Sequence, residues 1–370
     1  MGETAAQTAR QTPHHRRSFY IGGQYVKDKE GNHSLQGQMY VEHLQPSQSS
    51  EIKPFPLLFI HGGTRTGIDW ITKPDGEPGW ASYFLSQGYE LYLVDQPFRG
   101  RSPWSPGIGD VIVYPAEQIQ KMFTASSNYK LWPQAESHTQ WPGSGVMGHP
   151  VFDRFYASGV QMIKDQALQE GASQAACTAL LDTIGRPVIV FGHSAGGPIP
   201  FLLGDVRPGL VKSIVSLEPL GPPFSKVSIR TVPGSPYGIS NAPITYEPPV
   251  TDPVADLATR VVKAAAPELL DGRLQASDTP RKLVNLERIP VLVVTAPASY
   301  HAQYDWCTVE YLRQAGVDAT HLKLEDVEIL GNGHMMFVEK NSDQIAAEIQ
   351  KWLEKQASNH RHTPTESNTT

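Results

Sequence analysis

Pro187-Val188-Ile189-Val190-Phe191-Gly192-His193-Ser194-Ala195-Gly196-Gly197 is the stretch whose reading decides the fold. An apolar run of strand length enters Gly-x-Ser-x-Gly, and helix-compatible sequence from Pro198 to Asp205 leaves it. That order puts Ser194 on a sharp strand-to-helix turn, where Gly192 and Gly196 let backbone segments crowd together. A side chain at the apex stands clear of the sheet. The amide that follows it, on Ala195, points from a helix N-terminus toward developing negative charge. A glycine-rich turn with an incidental serine would carry the same five letters; the strand before and the helix after favour a nucleophile. Pro198 suits a first helical turn, and Pro200 is expected to bend the helix start.

Upstream, Pro56 to Ile60 is a short apolar strand that ends in His61-Gly62-Gly63-Thr64. Small residues there let a main-chain N–H approach a reacting carbonyl. Trp80 to Gln87 reads as a helix and Glu90 to Val94 as the next strand, a parallel crossover unit. Asp95, beside an arginine-rich turn, reads as a structural ion pair. Ser18 to Val26 and Gln38 to Leu44 read as an antiparallel strand pair. Two helices, Phe152 to Gly171 and Ser173 to Gly185, lead back to the serine strand, with Cys177 on the core side.

Downstream come strands at Val211 to Leu217, Pro290 to Thr295 and His321 to Val327, a helix at Thr308 to Gln314 and a closing helix at Ser342 to Lys355. Two proline- and aromatic-rich insertions, about 103–150 and 221–265, break this rhythm. The second carries helical pieces at Asp256 to Ala264 and around Leu269. Both are expected to cover the C-terminal strand ends as lid or pocket wall. Gly143 to Gly148 matches a dinucleotide fingerprint by letter, but no strand leads into it. The expected organisation is a disordered arm over 1–16, one α/β domain over 17–356 and a disordered tail over 357–370.

With 31 Lys plus Arg against 37 Asp plus Glu, the 370-residue chain carries a formal charge of −6, which argues against nucleic acid as partner. No run reaches membrane-spanning length, and Met1 to Gln11 lacks a signal peptide's apolar core. Cys177 and Cys307 make no disulfide framework, so a cytoplasmic location is expected. His14-His15-Arg16-Arg17 reads as a solvated tail. A small-molecule substrate is the expected partner, without nucleic acid or membrane, and a homodimer is compatible with the sequence. There is no His-Glu-x-x-His pattern, and neither metal nor cofactor is called for.

A serine hydroxyl needs a base, and the base needs a group that holds its tautomer. His334 lies in the Gly331-Asn332-Gly333-His334 loop after the last strand, where small neighbours let an imidazole reach across the sheet edge. His193 is sent elsewhere by its position beside the serine, His61 supports the loop it opens, and His301 is a pocket-lining candidate. Glu218 leaves the strand that follows the serine helix, one strand over from Ser194. A glutamate at an apolar strand end needs a charge-stabilising partner. Asp305 is the alternative acid, although a helix-capping role also explains it.

In this order His61-Gly62-Gly63, Gly192-His193-Ser194-Ala195-Gly196 and Gly331-Asn332-Gly333-His334 resemble the α/β-hydrolase superfamily. Leu217-Glu218-Pro219 resembles a subgroup of bacterial esterases and fungal natural-product-pathway hydrolases whose acid follows the sixth strand. The resemblance covers 17–356. It implies a mostly parallel twisted sheet flanked by helices, Ser194 as nucleophile, His334 as base, Glu218 as acid, and the Gly63 and Ala195 amides as oxyanion hole. Gly63-Thr64 stands where the bacterial relatives carry a cysteine pair, so their secretion and disulfide habits do not transfer. The implied activity is hydrolysis of an ester, lactone or related acyl bond. Condensation or cyclisation of a polyketide-type intermediate on the same fold, and a non-catalytic binder, are the competing readings. Labelling by a serine probe separates the binder, and turnover by Ser194→Ala separates the cyclase.

Overall fold

The computed structural model describes residues 11–47, 51–227 and 231–359. In chain order the scaffold comprises β1 (His14–Lys27), β2 (His33–Pro46), β3 (Leu57–Ile60), α1 (Trp80–Ser86) and β4 (Leu91–Asp95). It continues with α2 (Gln166–Ile184), β5 (Val188–His193), α3 (Pro198–Val206) and β6 (Val211–Leu217). It closes with β7 (Val291–Thr295), α4 (Asp305–Gln314), β8 (Ala319–Lys323) and α5 (Ser342–Asn359). The strands form one sheet in the order β1-β2-β4-β3-β5-β6-β7-β8. The β1–β2 and β2–β4 pairs are antiparallel and the rest parallel.

The central parallel strands β3, β5 and β7 are almost wholly apolar because both faces are covered. Alternation sends Leu58, Val190, Ile214 and Val293 into a core with α2, α3 and α4. Their neighbours Phe59, Phe191, Val215 and Leu292 enter the opposite core with α1 and α5. Phe59 and Phe191 are register partners, and their rings stack at 4.5 Å. From β3 the chain winds to β4 on one side and then to β5 on the other. That reversal opens a crevice at the C-terminal ends of β3 and β5, where ligands of such sheets bind. His61-Gly62-Gly63 and Ser194 leave the two strands at that point.

Four expectations need correction. The arm assigned to 1–16 is ordered from Gln11 onward: Thr12 bonds Ser82 through both its amide and its hydroxyl, and β1 starts at His14. Residues 357–359 continue α5, while 1–10 and 360–370 lie outside the described residues. The break placed between two helices at Gly171 lies inside α2. Asp165 caps that helix by accepting from the Leu168 amide, and Gly185 ends it in left-handed conformation. The last strand ends at Lys323, opposite Thr295 where β7 stops, and Leu324–Val327 is a 3₁₀ turn.

The fourth concerns Asp256 to Ala264, read as helical. Apart from one turn at Pro253–Asp256, Thr259–Val262 is a strand paired with Gly272–Gln275. That hairpin docks on α4 so closely that a Cβ on Gly272 would come within 2.3 Å of Cys307 Sγ. The β-branched side chains and this docking outweigh the helix propensity of the alanines.

Candidate active site

Ser194 sits at the apex between β5 and α3 with φ +53°. Strain of this kind persists only where the surroundings over-determine it, and three glycines show how they do. A Cβ on Gly192 would lie 2.7 Å from Pro200 Cγ, one on Gly196 2.3 Å from the His61 carbonyl oxygen, and one on Gly197 2.6 Å from Pro219 Cα. The Ser194 carbonyl accepts from the Gly197 and Leu220 amides at 2.8 and 2.9 Å. α3 runs unbroken past Pro200, because a first-turn N–H has no intrahelical acceptor to lose. His193 points away from the serine, and its Nε2 lies 3.0 Å from the His334 carbonyl oxygen.

His334 and Glu218 meet across the sheet edge. Nδ1 of His334 lies 2.5 Å from Glu218 Oε2, and both side chains are buried. Glu218 also accepts from the Ala296 amide (2.8 Å) and from Ser299 Oγ (2.7 Å) at the exit of β7. Burial first, and the nearby Asp305 carboxylate second, raise the proton affinity of Glu218 well above the ordinary carboxylate range. Burial, with His193 and His301 nearby, holds the His334 pKa well below that of free imidazole. Nε2 is thus kept unprotonated and able to accept a proton.

Asp305 does not reach His334. It accepts from Thr295 Oγ1 at 2.8 Å and lies 3.0 Å from His301 Nδ1, forming a second His–carboxylate pair. Nor does it cap α4, whose N-cap carries no side-chain bond. The His301 ring stacks on that of His334 at 4.8 Å. Tyr300, which the sequence reading passed over, lines the pocket with Ser194, and its hydroxyl lies 3.5 Å from His334 Nε2. Its place in the turn that follows β7, the strand beside the one that Glu218 leaves, was the available signal.

The geometry of the His61-Gly62-Gly63 loop follows from one peptide plane. The Gly62 carbonyl takes hydrogen bonds from Arg99 Nη1 (2.8 Å) and His61 Nδ1 (2.9 Å). In a trans peptide the next N–H, on Gly63, points the opposite way. Gly63 and Ala195 both border the pocket that holds Ser194 and His334, and a Cβ on Gly63 would lie 3.5 Å from that of Ala195. His61 Nε2 accepts from the Gln96 amide, so this histidine is neutral and structural; burial and Arg99 push its pKa down to about 3. Asp95 forms the expected ion pair with Arg101, at 2.8 Å.

The pocket walls come from both insertions: Tyr114, Ile119, Met122 and Phe123 from the first, Lys226 and Val227 from the second. An adjoining cleft shares Thr64, Arg65, Tyr114, Ile119 and Phe155 with it. Ligand atoms of Glu218, His301 and His334 lie within 4.8 Å of one another. Glu218 and His334 are already paired with each other and His301 with Asp305, so the cluster reads as two hydrogen-bonded dyads. Gly143 to Gly148 forms irregular turns in which a Cβ on Gly145 would strike the Thr124 carbonyl at 2.0 Å, consistent with rejecting a phosphate cradle.

A strand-order crevice holding a serine elbow, a buried His–Glu pair and an amide-lined loop defines a hydrolase. Residues 57–348 match the model of the alpha/beta hydrolase family, and the chain belongs to that family. It is 47% identical over 338 residues to "Probable secreted lipase phiG" of Fungal sp. (strain ATCC 74256), spanning 91% of this chain and 89% of that protein. It superposes on a solved structure, described as that of a novel bacterial esterase, with a TM-score of 0.59. That match has 21% identity and covers 96% of this chain and 99% of the other, a likeness of fold. Among the described residues no helix is long and apolar enough to cross a membrane.

Proposed function

We propose that this hydrolase cleaves a carboxylic ester or lactone through an acyl-enzyme on Ser194. The observation that carries the reading is the buried 2.5 Å pairing of His334 Nδ1 with Glu218, which leaves Nε2 facing the pocket of the strained serine. Ser194 Oγ attacks the substrate carbonyl while Nε2 of His334 takes its proton. Glu218 holds the imidazole with its proton on Nδ1 and stabilises the imidazolium that forms. The Gly63 and Ala195 amides receive the oxyanion. As the tetrahedral intermediate collapses, the proton passes from Nε2 to the departing alcohol oxygen. Water then enters and adds to the acyl carbon while His334 takes its proton; as the second tetrahedral intermediate collapses, that proton passes from Nε2 to Ser194 Oγ and the acid is released. The lipase name of the fungal relative agrees with ester chemistry.

The test is labelling by a fluorophosphonate probe with mapping of the modified residue, together with turnover of 4-nitrophenyl butyrate. Wild type is expected to be labelled on Ser194, and Ser194→Ala to lose both label and turnover. Undiminished labelling of that variant would remove the nucleophile assignment. Turnover of a carbon–carbon-forming substrate by folded Ser194→Ala, with no esterase activity in wild type, would replace hydrolysis by enolate chemistry.

A further inference from the structure

The pocket around Ser194 carries an uncompensated positive charge. Its lining includes two cations, Arg65 and Lys226, and no aspartate or glutamate. Arg65 is neutralised where it stands: Nε lies 2.7 Å from Asp69 Oδ2, Nη2 bonds the other carboxylate oxygen, and Nη1 bonds the Phe155 carbonyl at 2.9 Å. Lys226 has no such partner. It sits half-buried on the short strand Ser225–Val227, and no ion pair or hydrogen bond engages its ammonium among the described residues. Burial weakens its hold on its proton. A half-buried lysine without a counter-ion has lost part of its hydration and gains from an anion that joins it.

The position of Lys226 says where that anion enters. The chain leaves β6 at Glu218, passes Ser194 where the Leu220 amide bonds its carbonyl, and returns along the pocket wall to Lys226; the Val227 amide closes this excursion on the Gly221 carbonyl at 3.1 Å. The pocket that Lys226 shares with the serine is also lined by apolar and aromatic side chains, among them Leu220, Phe123, Tyr300 and Tyr304. Resting on the ester-hydrolase reading above, we propose that Lys226 selects substrates bearing a carboxylate remote from the scissile bond. The substrate class is thus an apolar ester of an acid that keeps a second, ionised carboxyl group.

The test compares the 4-nitrophenyl monoester of adipic acid with its uncharged counterpart, 4-nitrophenyl hexanoate. A charge-assisted hydrogen bond in a partly dehydrated pocket gives a preference in kcat/KM of about tenfold for the anionic ester. The difference should sit in KM, because the contact is equal in ground and transition states. Lys226→Met keeps the apolar stem and should bring the ratio near one, while Lys226→Arg should retain most of it. An unchanged ratio in Lys226→Met, or a wild-type preference for hexanoate, overturns the proposal. Calorimetric binding of the same two esters to Ser194→Ala reads recognition without turnover. A charge preference there that vanishes with Lys226→Met upholds the anion site even if the acyl-enzyme reading fails, and equal binding overturns it.

Discussion

Glu218→Gln, set beside Asp305→Asn, tests which carboxylate orients the base. In Glu218→Gln the amide oxygen takes over the bond from the Ala296 amide, now 2.8 Å. The NH2 group then occupies the position of Oε2, facing Ser299 Oγ and, across 2.5 Å, His334 Nδ1. Two donors cannot share that line, so Nδ1 must become the acceptor and the imidazole proton moves to Nε2. That is the nitrogen required to accept from Ser194. Enforcing the wrong tautomer costs about four decades in kcat, or about 5.4 kcal/mol of transition-state stabilisation. Flipping the amide would restore the tautomer only by breaking the Ala296 bond. Stability should change little, because losing a charge-assisted hydrogen bond is offset by removing a buried charge that Asp305 repels.

Asp305→Asn changes a carboxylate bonded to Thr295 and His301. It also removes a charge that raises the proton affinity of Glu218, so kcat should stay within about a decade of wild type. The assay is kcat for 4-nitrophenyl butyrate per mole of protein, with circular dichroism and Tm checking that each variant is folded. If Asp305→Asn loses as much as Glu218→Gln, the orienting group is wrongly assigned.

Two further perturbations follow from the same geometry. Arg99 is buried, with Nε and Nη2 unpartnered among the described residues, and burial lowers its pKa to about 10. Arg99→Met should therefore leave Tm unchanged or raised while lowering kcat about tenfold, as the Gly62–Gly63 peptide loses one of its two anchors; a fall in Tm with unaltered kcat would contradict this. Burial first lowers the His193 pKa from 6.5 to about 3, so between these values the unfolded chain binds the proton and the native state does not. Stability consequently falls as pH drops through that window, by about 1.4 kcal/mol from this residue at pH 5.5. Urea midpoints at pH 7.5 and 5.5 should show a slope shallower by that amount in His193→Gln, and equal slopes would count against it.

The sequence was legible wherever a feature depends on near neighbours. The elbow, its flanking strand and helix, and the His-Gly-Gly loop each announce themselves within a dozen residues, since close packing there admits only glycine. Glu218 and Asp305 could not be separated so simply: both leave core strands at the same sheet edge. The choice lies in which carboxylate the Ala296 amide and Ser299 hydroxyl turn toward His334, and that depends on the neighbouring strand. Arg99 and Tyr300 were passed over for the same reason, each facing a peptide or an imidazole distant in sequence. The Thr259–Val262 hairpin shows the converse failure: a stretch read as helical pairs as a strand, and packing against α4 prevailed.

Glu339 shows how the insertions and the base form one unit. This buried carboxylate accepts from the Gly333 amide, from Asn332 Nδ2 at 2.8 Å and from His138 Nε2 at 2.7 Å. His138 in turn bonds Ser126, and the Gly331 carbonyl accepts from the Thr139 and Gln140 amides. Trp132 reaches the Ala298 carbonyl, two residues before Tyr300. Residues 126–140 are therefore built into the loop that carries His334. Lifting them would strip a buried carboxylate of its donors and displace the base with it, a cost of several kcal/mol. The wall shared with the adjoining cleft has its own buried anchor, since Arg65 pairs with Asp69 and donates to the Phe155 carbonyl. The first insertion and the His334 loop are thus held as one body, so a substitution that unpairs Glu339 should reach the register of the imidazole with Glu218.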